Sequence, residues 1–100
     1  MKIGIIAGTG FYNLPALAGS TPQAVDTVYG KALITSGTWH GAEIAFLTRH
    51  GVDHSVPPSA VNYRANITAL KSAGVDFVIA VNVVGGIDPK LPAGSLQLLD

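Results

Sequence analysis

The apolar positions of this chain fall in short runs divided by glycine, proline and polar turn formers. Ile3, Ile5, Ile6 and Ala7 follow Lys2 without a polar break and stop at Gly8-Thr9-Gly10, the pattern of a buried strand over residues 2–7. Residues 11–18 have room for a short helix that Pro15 makes irregular or brief. Residues 19–30 carry turn formers and Pro22 and read as loop. Residues 31–36 and 43–48 are short apolar strands joined by Gly37-Thr38-Trp39-His40-Gly41-Ala42, which predicts an antiparallel hairpin. Residues 49–58 form a loop closed by Pro57-Pro58.

A helix follows. Ser59 is a suitable N-cap, Ala60, Tyr63, Ile67 and Leu70 recur at helical spacing, and Val61, Ala65, Ala69 and Ala73 make a second stripe. Gly74 is the expected stop. Residues 75–84 have the β-branched content of a strand buried in a parallel sheet, ended by Gly85-Gly86. Residues 88–94 form a turn that contains Pro92, and residues 95–99 read as one more strand.

Strand, loop, hairpin, helix and strand in that order predict an α/β fold with a mixed central sheet flanked by helices, and no repeat or linker divides residues 1–100, so a single domain is expected. Crossover rules make strands 2–7, 43–48 and 76–83 mutually parallel. The turns at Gly8-Thr9-Gly10, Arg49-His50-Gly51 and Asn82-Val83-Val84-Gly85 would then converge at the carboxyl edge of the sheet, where open α/β folds bind ligands.

Composition narrows the function classes. Hydrophobic residues make up 48% of the 100 residues and charged residues 12%, a core-rich chain rather than a disordered one. The formal net charge is zero, which disfavours a nucleic-acid partner or an acidic membrane surface. No cysteine is present, which excludes disulfides and thiolate chemistry and fits a reducing compartment, so a cytoplasmic location is expected. The opening apolar run is too short for a signal peptide, and no segment is long enough to span a membrane.

Any anion site must therefore be local. Gly8 and Gly10 allow a tight turn with exposed N–H groups and Thr9 adds a hydroxyl, although a tight turn leaving a buried strand needs the same glycines. Asn13 stands where a dinucleotide fingerprint requires its third glycine, and no Lys-Ser or Lys-Thr follows as in a P-loop. Arg49 offers a planar fork of donors suited to phosphate and His50 a further donor; a surface Arg beside a hydrogen-bonded His is the alternative. His50 and His54 are four apart, but Gly51 and Pro57-Pro58 argue for a loop, and no carboxylate completes a metal set. Asn62 and Asn66 suit a polar rim or a subunit contact, Asp53 and Asp88 suit turns, and Trp39 suits a subunit contact or a partly exposed loop aromatic.

Taken together, these residues resemble a known family. Ile3-Gly4-Ile5-Ile6-Ala7-Gly8-Thr9-Gly10, Phe46-Leu47-Thr48-Arg49-His50-Gly51 with His54 and Pro57-Pro58, and the stretch from Val61 to Lys71 are similar to the methylthioadenosine phosphorylases and related purine nucleoside phosphorylases. Val81-Asn82-Val83-Val84-Gly85-Gly86-Ile87 looks most like the methylthioinosine branch, while Ala7 replaces a more usual Gly. The resemblance implies the N-terminal portion of a nucleoside phosphorylase-like α/β domain, usually trimeric. It implies phosphorolysis of a purine nucleoside, most of all a 5′-methylthio nucleoside, with inorganic phosphate as co-substrate and no metal or organic cofactor. Inosine or guanosine phosphorolysis, and a non-catalytic anion-binding or assembly module, are the alternatives. Carried over by position, phosphate contacts fall on Thr9, on Arg49 and His50, and on Asn82 with Val83, the pair at which the backbone is expected to contribute, and His54 falls near the 5′ end of the nucleoside. The base-gripping and proton-donating residues of the family fall beyond position 100, so no catalytic residue is assigned and these hundred residues alone are not expected to be active.

Overall fold

The computed structural model describes residues 1–99. Strands β1 (Lys2–Ala7), β2 (Gln23–Thr27), β3 (Gly30–Trp39), β4 (Ala42–Thr48) and β5 (Phe77–Val81) form a mixed sheet in the order β2-β3-β4-β1-β5, with helix α1 (Tyr63–Ser72) between β4 and β5 in the chain. β1 lies parallel to β4 and to β5, whereas β3 is antiparallel to β2 and β4. The expected fold class and parallel set are both present.

Alternation along the strands builds two apolar layers. On one face Ile5, Ala7, Ile44 and Phe46 pack with Leu14 and Leu17, from the segment after β1. On the other face Ala32, Ile34, Ala45 and Leu47 pack against Ala69 and Leu70 of α1. Gly4 sits under this helix: a Cβ there would lie 3.0 Å from Val75 Cγ1 and 3.5 Å from Leu70 Cδ1, so its bare backbone lets the helix end settle on β1. The helix stops as expected at Gly74 (φ 80°), where Val75 N donates to the Leu70 carbonyl and Gly74 N to the Lys71 carbonyl, the double bond of a Schellman cap.

Several expectations need correction. The helix starts at Tyr63 rather than after Ser59, because Pro57-Pro58 direct residues 58–60 into a 3₁₀ turn and Asn62 caps the helix by accepting from Ala65 N at 3.1 Å. Asn62 is thus a cap rather than a rim residue, and its Nδ2 also donates to the Tyr29 carbonyl at 2.7 Å. The stripe of Val61, Ala65 and Ala69 is the buried one, joined by Leu70, while Tyr63 and Ile67 face outward. Small residues let the helix approach the sheet closely, which the larger stripe would not.

The segment read as loop contains β2. Its Gln23 and Asp26 hide the strand signal, yet it pairs with the first half of β3, from Gln23↔Ile34 to Thr27↔Gly30. β3 itself runs on to Trp39, so the hairpin connection is only His40-Gly41. Both residues have positive φ (49° and 80°), the type I′ geometry that matches the twist of paired strands. Within residues 11–18 only a 3₁₀ turn forms, Pro15–Leu17.

β5 is shorter than expected and is not buried: Phe77, Val78 and Ile79 are 60%, 48% and 53% exposed. It is the last strand in the sheet order and no element of the described residues covers it. Residues 95–99 do not form a strand, although their polarity alternates, because no neighbouring strand supplies the ladder. Among the described residues, no helix is long and apolar enough to cross a membrane.

Candidate anion site

The registers Ala7↔Thr48 and Ala7↔Val81 bring the carboxyl ends of three parallel strands to one level. Gly8, Arg49 and Asn82 are the next residues of each, so the predicted convergence of three turns is realised. Arg49 N donates to the Ala7 carbonyl at 2.8 Å, which extends the β1–β4 ladder into the turn.

Gly8 makes room for the charge. A Cβ at Gly8 would collide with Arg49 Nη2 and lie 3.1 Å from Arg49 Cζ and from the Val81 carbonyl oxygen. The guanidinium therefore lies across bare backbone at the end of β1. On its far side Arg49 Nη1 donates to Asn82 Oδ1 at 2.5 Å. With the amide oxygen turned to Arg49, the Asn82 amino group is left as a donor directed away from it. Beyond Gly8, Phe11 N donates to the Gly8 carbonyl at 3.2 Å and Gly10 has φ 83°, so Gly8-Thr9-Gly10-Phe11 is a turn with exposed Thr9 at its tip.

His50 is buried, 6% exposed. Its Nδ1 lies 3.1 Å from the Val56 carbonyl oxygen, which only accepts, so the Nδ1 proton is committed there. The reciprocal bond, Val56 N to the His50 carbonyl at 2.8 Å, closes residues 50–56 into a compact loop. Gly51 (φ 83°) fits this loop because a Cβ would sit 2.8 Å from Ser55 Oγ. His50 Nε2 accepts a long contact of 3.5 Å from Arg49 Nε. In this arrangement His50 steadies the guanidinium, and its Nε2 is an acceptor turned to Arg49 rather than the further donor expected from the sequence.

The remaining predicted residues are placed less tightly. Val83 is 72% exposed, so its side chain does not contribute to the packing of the site. His54 is exposed, has φ 54°, and packs its ring on His50 with centroids 5.1 Å apart. Sequence reasoning missed Tyr12, whose hydroxyl is hydrogen-bonded to His54 Nδ1 across 42 positions; no spacing rule joins residues so far apart. Among the described residues, no group of three or more His, Cys, Asp or Glu side chains is placed to hold a metal ion.

The chain is an α/β protein in which a guanidinium lies over a glycine turn, with amide and imidazole groups around it, on the carboxyl edge of parallel strands, the edge where open α/β folds bind ligands. Residues 2–100 match the phosphorylase superfamily, and the chain belongs to that family. It is 44% identical over 100 residues to a probable 6-oxopurine nucleoside phosphorylase of Moorella thermoacetica, covering all of this chain and 38% of the relative. It is also 44% identical to an S-methyl-5′-thioadenosine phosphorylase of Rhodospirillum rubrum, covering 98% of this chain and 34% of the relative. Among solved structures, methylthioadenosine phosphorylase from Schistosoma mansoni in complex with adenine superposes with a TM-score of 0.81 at 36% identity, covering 91% of this chain and 34% of that one. The chain thus spans between a third and two-fifths of the length of these curated relatives.

Proposed function

We propose that the chain is the N-terminal part of a phosphorylase domain that cleaves a purine nucleoside with inorganic phosphate, releasing the base and a sugar 1-phosphate. The observation that carries this reading is the Arg49 guanidinium, held between Gly8 and Asn82 at the ends of three parallel strands. Thr9, Arg49, His50, Asn82 and the Val83 backbone form the phosphate cradle, and His54 lies toward the 5′ end of the nucleoside.

The chemistry suits such a cradle. Departure of the purine leaves positive charge on the anomeric carbon, and an anion fixed beneath the ring both supplies the nucleophile and stabilises that charge. The protein provides position and electrostatics and forms no covalent bond of its own. Neither metal nor organic cofactor has a step to perform.

Relatives named for 6-oxopurine nucleosides and for methylthioadenosine are equally similar to this chain. S-methyl-5′-thioinosine unites a 6-oxopurine with a 5′-methylthio group and is the substrate we favour, with methylthioadenosine next and inosine or guanosine as the second reading. The enzyme is read as a cytoplasmic homotrimer.

The test is release of base from S-methyl-5′-thioinosine, methylthioadenosine and inosine by the intact polypeptide, with and without phosphate. Strict phosphate dependence is expected, and cleavage at the same rate without phosphate would sink the proposal. Arg49→Ala should raise the phosphate requirement by roughly 10- to 100-fold, since a hydrogen bond to a charged group contributes about 1.5–3 kcal/mol. An unchanged requirement removes Arg49 from the cradle.

A further inference from the structure

Tyr12 lies on the loop after β1, outside the cradle, and belongs to none of the motifs that mark the site. Its hydroxyl is nevertheless hydrogen-bonded to His54 Nδ1, and the two rings meet edge to face with centroids 5.5 Å apart and planes at 84°. His54 is one of two non-glycine residues with positive φ among the described residues. The other, His40, is explained by its hairpin turn. His54 directly follows the turn at Val52-Asp53, and its left-handed backbone sets its ring against both Tyr12 and the buried His50.

Two imidazoles in contact thus have separate anchors. His50 is held from within its own loop by the Val56 carbonyl, whereas His54 is held from another loop by a phenol. A phenol O–H is a better donor than a neutral imidazole N–H, and an imidazole nitrogen a better acceptor than a phenol oxygen. Donation from Tyr12 to Nδ1 leaves the ring proton on Nε2. Without that bond, an exposed histidine exchanges between tautomers.

We propose that Tyr12 is a positioning residue: it holds His54 against His50 as an Nε2–H donor, which then recognises an acceptor atom on the sugar side of a nucleoside seated above the cradle. The proposal rests on the phosphorolysis reading for its ligand, but not for the state of the His54 ring. Tyr12 acts through His54 and touches no reacting atom. It links the Gly8-Thr9-Gly10 turn to the 50–56 loop, so that nucleoside recognition is built on the same two loops that hold the anion.

Two measurements separate the parts of the idea. Long-range proton–nitrogen correlation spectra of the imidazoles should show His54 protonated at Nε2 in the unmodified protein, and a mixture of tautomers in Tyr12→Phe, which keeps the ring contact and removes only the hydroxyl. In the intact polypeptide, Tyr12→Phe should raise KM for S-methyl-5′-thioinosine by about 3- to 10-fold, the worth of one neutral hydrogen bond, while KM for phosphate moves less than about twofold. In a His54→Ala background, Tyr12→Phe should have no further effect on nucleoside KM.

A His54 ring protonated at Nδ1 in the unmodified protein would overturn the proposal, as would a Tyr12→Phe protein with the unmodified tautomer or an unchanged nucleoside KM. Equal rises in both KM values would also overturn it, since they would mark a general loosening of the loops. If the polypeptide cleaves no nucleoside with phosphate while the tautomer responds to Tyr12→Phe, the phosphorolysis reading and the recognition step fail, and the positioning of His54 stands.

Discussion

β4 and β5 lie on either side of β1, both parallel to it, both apolar, and both hydrogen-bonded to it along their length. Ile44, Ala45, Phe46 and Leu47 of β4 are buried, yet Phe77, Val78 and Ile79 of β5 stand about half exposed. The backbone partner is the same, so the ladder does not cause the difference. β4 has β3 beyond it, the Leu14–Leu17 segment on one face and α1 on the other. β5 has β1 on one side and no cover from the described residues. Pairing satisfies amides and carbonyls, whereas burial needs a further layer. The candidate site straddles this divide, because Gly8 and Arg49 leave the covered strands while Asn82 and Val83 follow the open one.

The largest effect that sharpens the contrast is a cavity in the covered half. Leu47 is 2% exposed and packs between β3 and α1. Leu47→Ala should lower unfolding stability by about 2–5 kcal/mol, read from the midpoint of a denaturant titration at constant slope. A loss below about 1 kcal/mol, the range of an exposed position, would show that the covered layer is not close-packed and would dissolve the contrast.

Gly8→Ala is next and acts at the divide. The added methyl meets Arg49 Nη2 and the Val81 carbonyl, so either the guanidinium swings out or the ends of β1 and β5 part. Overpacking of this kind costs about 1–3 kcal/mol. The sharper readout is inorganic phosphate titrated into the protein and followed through the Arg49 and Asn82 side-chain resonances. The unmodified protein should respond and Gly8→Ala should not. A preserved response would mean that the closeness of Arg49 to the glycine turn is irrelevant to anion binding.

Much of this arrangement was legible beforehand, and the failures share a physical origin. The strands ending at Ala7 and Thr48, the Gly74 stop and the convergence of three turns follow from local patterns: an apolar run, a glycine, a crossover rule. β2 was missed because Gln23 and Asp26 are polar, and its place depends on the outer edge of β3 being free to pair. The helix start was misplaced because Ser59 is as good a cap chemically as Asn62; two prolines and the Tyr29 carbonyl decided between them. β5 was expected to be buried because composition reports what a strand tolerates, not what is stacked on it. Gly8, Arg49 and Asn82 could be brought together from the sequence because each directly follows a strand end. The tie from Tyr12 to His54 crosses 42 positions between irregular loops and left no periodic trace.

The smallest expected effect lies in the open half. Ile79 pairs with Ile5 in the backbone register, but its side chain is 53% exposed. Ile79→Thr keeps the β-branch that suits an extended chain and removes only partly buried carbon, so its cost in this chain should stay below about 1 kcal/mol. Amide exchange gives the finer test. If β5 opens without the rest of the sheet, its amides should exchange through a local opening that Ile79→Thr accelerates, while those of β4 keep the rate set by global unfolding. The same opening carries Asn82 away from Arg49, so the phosphate response at Asn82 should weaken before the response at Arg49 does. A β4 that loses protection in step with β5 would show instead that the two flanks of β1 unfold as one unit, and that the exposure of β5 carries no difference in stability.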